Sequence, residues 1–215
     1  MGWQKFEHGW RLAPVAAPAR SLVVLLHGVG SNARDLVPLA DAWADALPST
    51  AFASLDGTER FDGGFDGRQW FSLLDITPEN RQARSTAAYA ALRALLDAEL
   101  AHWGLDIGRL ALVGFSQGSM MALHHVATDP DGALAVVAYS GRLVSPVTAH
   151  SASPVALIHG EDDPVIDASE LLYAATTLEA AGYPVEAYLL PGVDHTISEE
   201  GSVLGLALLR RTLNG

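Results

Sequence analysis

The sequence predicts an α/β fold, a mostly parallel sheet with helices on both faces. Two observations carry this expectation. Continuous apolar runs such as Leu22-Val23-Val24-Leu25-Leu26 recur along the chain, and runs without alternation suit strands buried on both sides. Between these runs lie segments with apolar residues at helical spacing, and strands separated by helices assemble into a parallel sheet. Length agrees. A chain of 215 residues suits a single domain over 1–215, with a substantial buried core and few residues left for a large lid domain.

The elements follow in order. Leu22 to Leu26 is a buried strand ended by His27-Gly28. Leu36, Leu39, Ala40, Trp43, Ala44 and Leu47 share one helical face, and Pro48 stops that helix. Ala51 to Leu55 reads as a short strand. Asp56 to Leu74, rich in Gly and Asp, reads as a long loop, and such loops are usually functional. Thr77-Pro78 starts a helix reaching about Trp103, with Thr as N-cap and Pro at its first position. Leu110 to Val113 is a strand, Gln117 to Thr128 a helix, and Leu134 to Tyr139 and Val155 to His159 two more strands. Asp167-Ala168-Ser169-Glu170 fits a capping box opening a helix that Gly182 closes. Val185 to Leu190 is the last strand, and Ser198 caps a final helix to about Leu213. Five or six strands result. No internal repeat or domain-splitting linker is visible.

Composition narrows the partners. The chain is 49% hydrophobic and 18% charged, a globular balance. Lys and Arg number 13 against 25 Asp and Glu, a net charge of −12, which disfavours nucleic acid and anionic lipid. There is no cysteine. Disulfides, thiolate metal sites, a Cys nucleophile and prenyl or palmitoyl anchors are therefore excluded. The segment Met1 to His8 has no signal-peptide core, and the strongest apolar run is too short to cross a bilayer. A cytoplasmic protein without membrane insertion is the expectation. Oligomeric state stays open, a homodimer included.

In open parallel sheets, ligands bind beyond the carboxyl ends of the strands. Gly114-Phe115-Ser116-Gln117-Gly118 follows one strand end and opens a helix. This is G-x-S-x-G, a strand-to-helix turn so tight that its flanking positions must be small. It exposes Ser116 above a helix N-terminus as a candidate nucleophile. A serine hydroxyl needs a base. In this architecture the order is Ser, then Asp or Glu, then His. Beyond the helix that follows Ser116, only His195 comes after every strand-end carboxylate, so it is the expected base. Glu161, Asp162 and Asp163 follow the strand Val155 to His159. Asp163 is preferred over Asp162 because Pro164 fixes the turn after it. Asp194, adjacent to the base, reads as a loop-capping residue.

Oxyanion donors are expected from the backbone N–H of Gln117 and of Val29, the latter in the glycine-flanked loop His27-Gly28-Val29-Gly30. His27 and His159 read as hydrogen-bonding support. Trp70 and Phe71, in the long loop, are read as a wall of the acyl pocket. Met120 and Met121 read as core.

Together these motifs resemble the phospholipase/carboxylesterase family of α/β-hydrolases, related to acyl-protein thioesterases. Leu26 to Gly30, the Ser116 elbow, His159 to Val165 and Asp194-His195 match its motifs in order, from about Leu22 onward. Arg68 to Ser72 and Asn80 to Arg84 resemble the bacterial YpfH-type esterase branch more closely. Ser31-Asn32 and Ser72 depart from the thioesterase pattern, while the Ser116, Asp163 and His195 positions match intact. The resemblance implies an α/β-hydrolase fold and a serine esterase acting on small ester substrates, without metal or cofactor. The same triad on a thioester, lysophospholipid or peptide is the alternative. A non-catalytic ligand-binding module would be expected to show a broken triad, and the motifs show none. With only the Asp56 to Leu74 loop to shape the site, small or medium acyl groups are expected.

Overall fold

A computed structural model describes residues 2–213. The chain opens with a hairpin, β1 (Gln4–Phe6) and β2 (Gly9–Leu12). It continues through β3 (Ser21–Leu26), α1 (Val37–Ala44) and β4 (Thr50–Leu55). A two-stranded ribbon, β5 (Glu59–Arg60) and β6 (Arg68–Gln69), precedes α2 (Pro78–Trp103). Then come β7 (Leu110–Phe115), α3 (Gln117–Thr128), β8 (Ala135–Tyr139) and β9 (Val155–Gly160). The chain ends with α4 (Ser169–Ala180), β10 (Val185–Leu190) and α5 (Glu199–Leu213).

Eight strands form the main sheet in the order β1-β2-β4-β3-β7-β8-β9-β10. From β4 to β10 every pairing is parallel, and the hairpin adds an antiparallel edge. This is an α/β-hydrolase arrangement, as expected, with no inserted lid domain among the described residues. The hairpin is a correction to the five or six strands expected. Its strands have three and four residues, too short for a periodic signal. Tertiary contacts hold it instead: Arg11 grips the buried Glu99 of α2 with two hydrogen bonds of 2.7 and 2.6 Å.

The central strands bury both faces. Along β3, Leu22, Val24 and Leu26 enter one core while Val23 and Leu25 enter the other, the period-2 alternation of a strand. Leu92 and Leu96 of α2, Val126 of α3 and Leu178 of α4 cover the first face. Trp43 of α1 and Leu208 and Leu209 of α5 cover the second. A polar cluster joins α2 to α3. The Tyr89 hydroxyl lies 2.6 Å from His125 Nδ1 and 2.5 Å from Asp129 Oδ2, and Arg93 donates to Asp129 at 2.5 Å.

Helix ends follow the sequence in part. Thr77 caps α2 as expected, in a capping box completed by Asn80, and left-handed Gly104 ends it. Ser198 Oγ accepts from Gly201 N–H at the start of α5. At α4 the expected capping box is absent. Asp167 accepts from Ser169 N–H, but Glu170 turns to Arg142 at 3.2 Å. The ion pair outcompetes the local reach-back. Helix α1 is shorter than expected, because Ala46 and Leu47 N–H close a turn on Trp43 O before Pro48. The 56–74 segment is not all loop. Its ribbon clasps the loop after β3, with Gly30 N–H bonding Arg68 O at 2.8 Å and Arg68 N–H bonding Ser31 O at 2.7 Å.

Candidate active site

Ser116 stands in the middle of the sheet, between β7 and α3. Its backbone has φ 53° and ψ −114°, a sparsely populated conformation held by the elbow. The flanking glycines explain the turn. A Cβ on Gly118 would collide with Leu26 O, and one on Gly114 would collide with the backbone of Gly118 and Ser119. Ser116 N–H is spent on Tyr139 O at 3.0 Å. Its hydroxyl is free to face His195.

His195 Nε2 lies 3.0 Å from Ser116 Oγ, and His195 Nδ1 lies 2.7 Å from Asp163 Oδ2. An ionised carboxylate only accepts, so Nδ1 carries the proton and Nε2 is left to accept from Ser116. Asp163 Oδ1 accepts from Val165 N–H at 2.8 Å and Ile166 N–H at 2.9 Å. Burial of this carboxyl opposes its charge. The His195 hydrogen bond and the two backbone N–H groups outweigh that effect and hold its pKa below the ordinary value. Glu161 and Asp162 point to solvent. Asp194 is exposed as well, and its carbonyl rather than its side chain takes Thr196 N–H, a correction to the loop-capping role. Gly160 lets the two loops meet, since a Cβ there would strike Val193 O. Asp162 N–H then bonds Val193 O at 3.0 Å.

Gly28 packs against the serine, with space for a Cβ only 3.3 Å from Ser116 Cβ. His27 sets the peptide that follows. Its Nε2 accepts from Gly57 N–H at 2.9 Å, so Nδ1 bears the proton and donates to Gly28 O at 2.6 Å. Burial lowers the His27 pKa and keeps the ring neutral. A trans peptide directs C=O and N–H to opposite sides, so Val29 N–H points away from His27. Among the described residues, neither Val29 N–H nor Gln117 N–H has an acceptor. His159 is likewise tied to backbone, at 2.8 Å from Ile166 O.

Trp70 and Phe71 correct the sequence reading. They are 0% and 2% exposed and belong to the core beneath the site. Trp70 Nε1 donates to His27 O at 2.9 Å. The Gln117 side chain holds the same loop, accepting from Trp70 N–H at 2.8 Å and donating to Phe71 O at 2.7 Å. A cavity of about 420 Å³ beside His195 is lined by Leu36, Leu39, Ala42, Phe115 and Ile197 together with polar Asp35, Ser198, Glu199 and Ser202. Sequence reasoning missed these residues. Leu36 and Leu39 pack in the core, as their helical spacing indicates, and also reach this cavity, while Ala42, Phe115 and Ile197 lie off that face and are marked as pocket only by proximity to His195 in space. Met120 and Met121 are core, as expected. Among the described residues, no cluster of His, Cys, Asp and Glu is arranged to hold a metal ion, and no helix is long and apolar enough to cross a membrane.

The phospholipase/carboxylesterase family model matches residues 11–202. The chain belongs to this family of carboxylic ester hydrolases. It is 36% identical to the esterase YpfH of Escherichia coli over 197 residues, covering 91% of this chain and 84% of that protein. It is 25% identical to acyl-protein thioesterase 1 of Gibberella zeae, covering 94% and 97%. Among solved structures, esterase PE8 superposes with a TM-score of 0.90 at 36% identity, covering 96% of this chain and 99% of that one. Arabidopsis thaliana SOBER1, at a TM-score of 0.78 and 21% identity over 91% of this chain and 100% of that one, shares the fold.

Proposed function

We propose that this chain is a serine carboxylesterase for small or medium acyl esters, with Ser116 as nucleophile, His195 as base and Asp163 as the acid that orients it. The observation that carries this reading is the continuous hydrogen-bonded line from Asp163 through His195 to Ser116 Oγ. His195 Nε2 takes the hydroxyl proton as Ser116 Oγ bonds to the ester carbonyl carbon. The carbonyl oxygen becomes an oxyanion received by the N–H groups of Val29 and Gln117. The carbon–oxygen bond to the alcohol breaks, and His195 hands its proton to the departing alkoxide. Water then gives a proton to His195 and attacks the acyl-enzyme. The second intermediate collapses, Ser116 regains its proton from His195, and the carboxylic acid leaves. No step draws on a metal or cofactor. Since the base must be neutral, activity falls on acidification.

The volume of the cavity beside His195, about 420 Å³, favours acyl groups of modest size. A panel of p-nitrophenyl esters of increasing chain length tests this, with fluorophosphonate labelling of Ser116 as a direct check. Absence of label, or an undiminished rate in Ser116→Ala, rejects the assignment. A thioester substrate is the second reading, favoured by the match to acyl-protein thioesterase 1 along most of both chains. Matched ester and thioester kcat/KM values separate the two.

A further inference from the structure

Two arginines share a cavity on the face of the sheet opposite the cleft beside His195. Arg81 rises from the first turns of α2 and Arg142 from the loop after β8. With Glu170 and Tyr173 of α4 they line a space of about 370 Å³. Arg142 has a side chain only 20% exposed, yet its single partner is Glu170, an ion-pair contact at 3.2 Å. Its Nε is buried with no acceptor. Among the described residues, none of its side-chain donors makes a hydrogen bond, and half-buried Arg81 has neither a hydrogen bond nor a carboxylate partner from its guanidinium.

Elsewhere half-buried arginines are satisfied. Arg11 has both oxygens of Glu99, Arg93 has three carboxylates, and Arg84 has two carbonyls. Arg20, Arg60, Arg109 and Arg210, which also lack hydrogen bonds, are exposed to water. Burial and repulsion from Arg142 lower the Arg81 pKa and outweigh the attraction of Glu170 and Glu79. Glu79 and Asp167 are exposed and contribute charge only at longer range. In a chain with 25 acidic and 13 basic residues, a guanidinium pair left this poorly answered is open to an anion from outside.

The place matters as much as the charge. Residues 140 and 141 lead from β8 past the nucleophile. Ser140 N–H bonds Ile158 O, and a Cβ on Gly141 would stand 3.5 Å from Ser116 O. Arg142 follows directly. The loop that carries Arg142 thus leaves the sheet beside the backbone of Ser116, on the face opposite the cleft at His195.

We propose that the Arg81–Arg142 cavity is an anion subsite that binds a carboxylate or phosphate group carried by the ester substrate. This rests on the reading of Ser116 as the ester nucleophile. The group can sit on the acyl tail or on the alcohol, and each guanidinium offers it a charge-assisted pair of donors.

Two pairs of substrates test the subsite on the full chain. For the acyl side, kcat/KM is compared for p-nitrophenyl hemiglutarate and p-nitrophenyl butyrate. For the alcohol side, the butyrate ester of 2-hydroxyethyl phosphate is compared with ethyl butyrate. Arg142→Met and Arg81→Met are each expected to lower the anionic-to-neutral ratio by roughly 10- to 100-fold in at least one pair, the range of a lost charged hydrogen bond. Arg142→Lys should restore part of it. The pair that responds tells which side carries the anion. A ratio unchanged within about twofold in both pairs, or a parallel fall for anionic and neutral esters, overturns the subsite. Calorimetric titration of glutarate and inorganic phosphate into Ser116→Ala gives a readout independent of turnover. Binding that disappears when Arg142→Met is added supports the subsite even if no ester is hydrolysed, which would count against the esterase reading alone. Ester turnover without arginine-dependent binding or preference rejects the subsite alone.

Discussion

Two histidine clusters in this protein use nearly the same parts. In one, His195 stands between Asp163 and Ser116. In the other, His125 and Asp129 share the Tyr89 hydroxyl, with Arg93 on the carboxylate. The difference lies at the far nitrogen. His125 Nε2 is closed off by Gly132 O at 2.7 Å, and the ring is fully buried. His195 is 17% exposed, and its Nε2 meets a serine hydroxyl at the edge of a cleft. A histidine–carboxylate pair becomes a proton carrier only when one nitrogen faces something that can react. With both ends satisfied by the protein, the same pair is a bolt between helices.

The comparison breaks most visibly at the nucleophile. Ser116→Ala should reduce kcat/KM for p-nitrophenyl esters by roughly 10⁵-fold or more, the scale of losing a triad nucleophile. A loss under tenfold would mean that the His195 cluster is as structural as the other. Asp163→Asn comes next. Its amide can donate and would favour the wrong imidazole tautomer, so kcat should fall roughly 10⁴-fold. Circular dichroism of the variant checks that the fold survives.

Stability measurements sharpen the other side. Burial lowers the His124 pKa to about 4, with repulsion from neighbouring His125 adding to it. Its ring packs edge-on to Tyr89 at 4.9 Å. A lowered histidine pKa means that the unfolded chain binds the proton first. Stability therefore falls as pH drops from about 6.5 toward about 4, by up to about 3 kcal/mol from this residue. Urea denaturation of the wild type and His124→Asn across that window should show a shallower pH slope in the variant. Equal slopes would remove His124 as the cause. The smallest effect is expected for Tyr89→Phe. Loss of its hydroxyl should cost about 1–2 kcal/mol of stability. Ester turnover at 25 °C should change less than twofold, and a larger change would tie the α2–α3 bolt to the active site.

The sequence carried most of the parallel sheet, because its strands are long apolar runs with sharp ends. It also indicated Ser116, Asp163 and His195, since each follows a strand and the chain order limits the choices. Other features depend on partners distant in sequence. The β1–β2 hairpin is anchored through Arg11 to Glu99, 88 residues away. Trp70 looked like a pocket aromatic because it lies in the long loop, yet its hydrogen bond to His27 O ties it into the core. Glu170 satisfied the capping pattern locally and still went to Arg142. In each case a long-range contact outweighed a local preference.

The close approach at Gly160 has a mechanical consequence. The loops bearing Asp163 and His195 are sewn together, by Asp162 N–H on Val193 O and by Glu161 N–H on Leu190 O. Asp163 and His195 follow strands β9 and β10, which are neighbours in the sheet. The stitching ties their two loops to each other. Ser116 sits instead on the elbow between β7 and α3. The two parts meet at the 3.0 Å contact between His195 Nε2 and Ser116 Oγ. In the proposed mechanism the first proton transfer crosses that one contact, so any shift of the paired loops would reach the reaction through it.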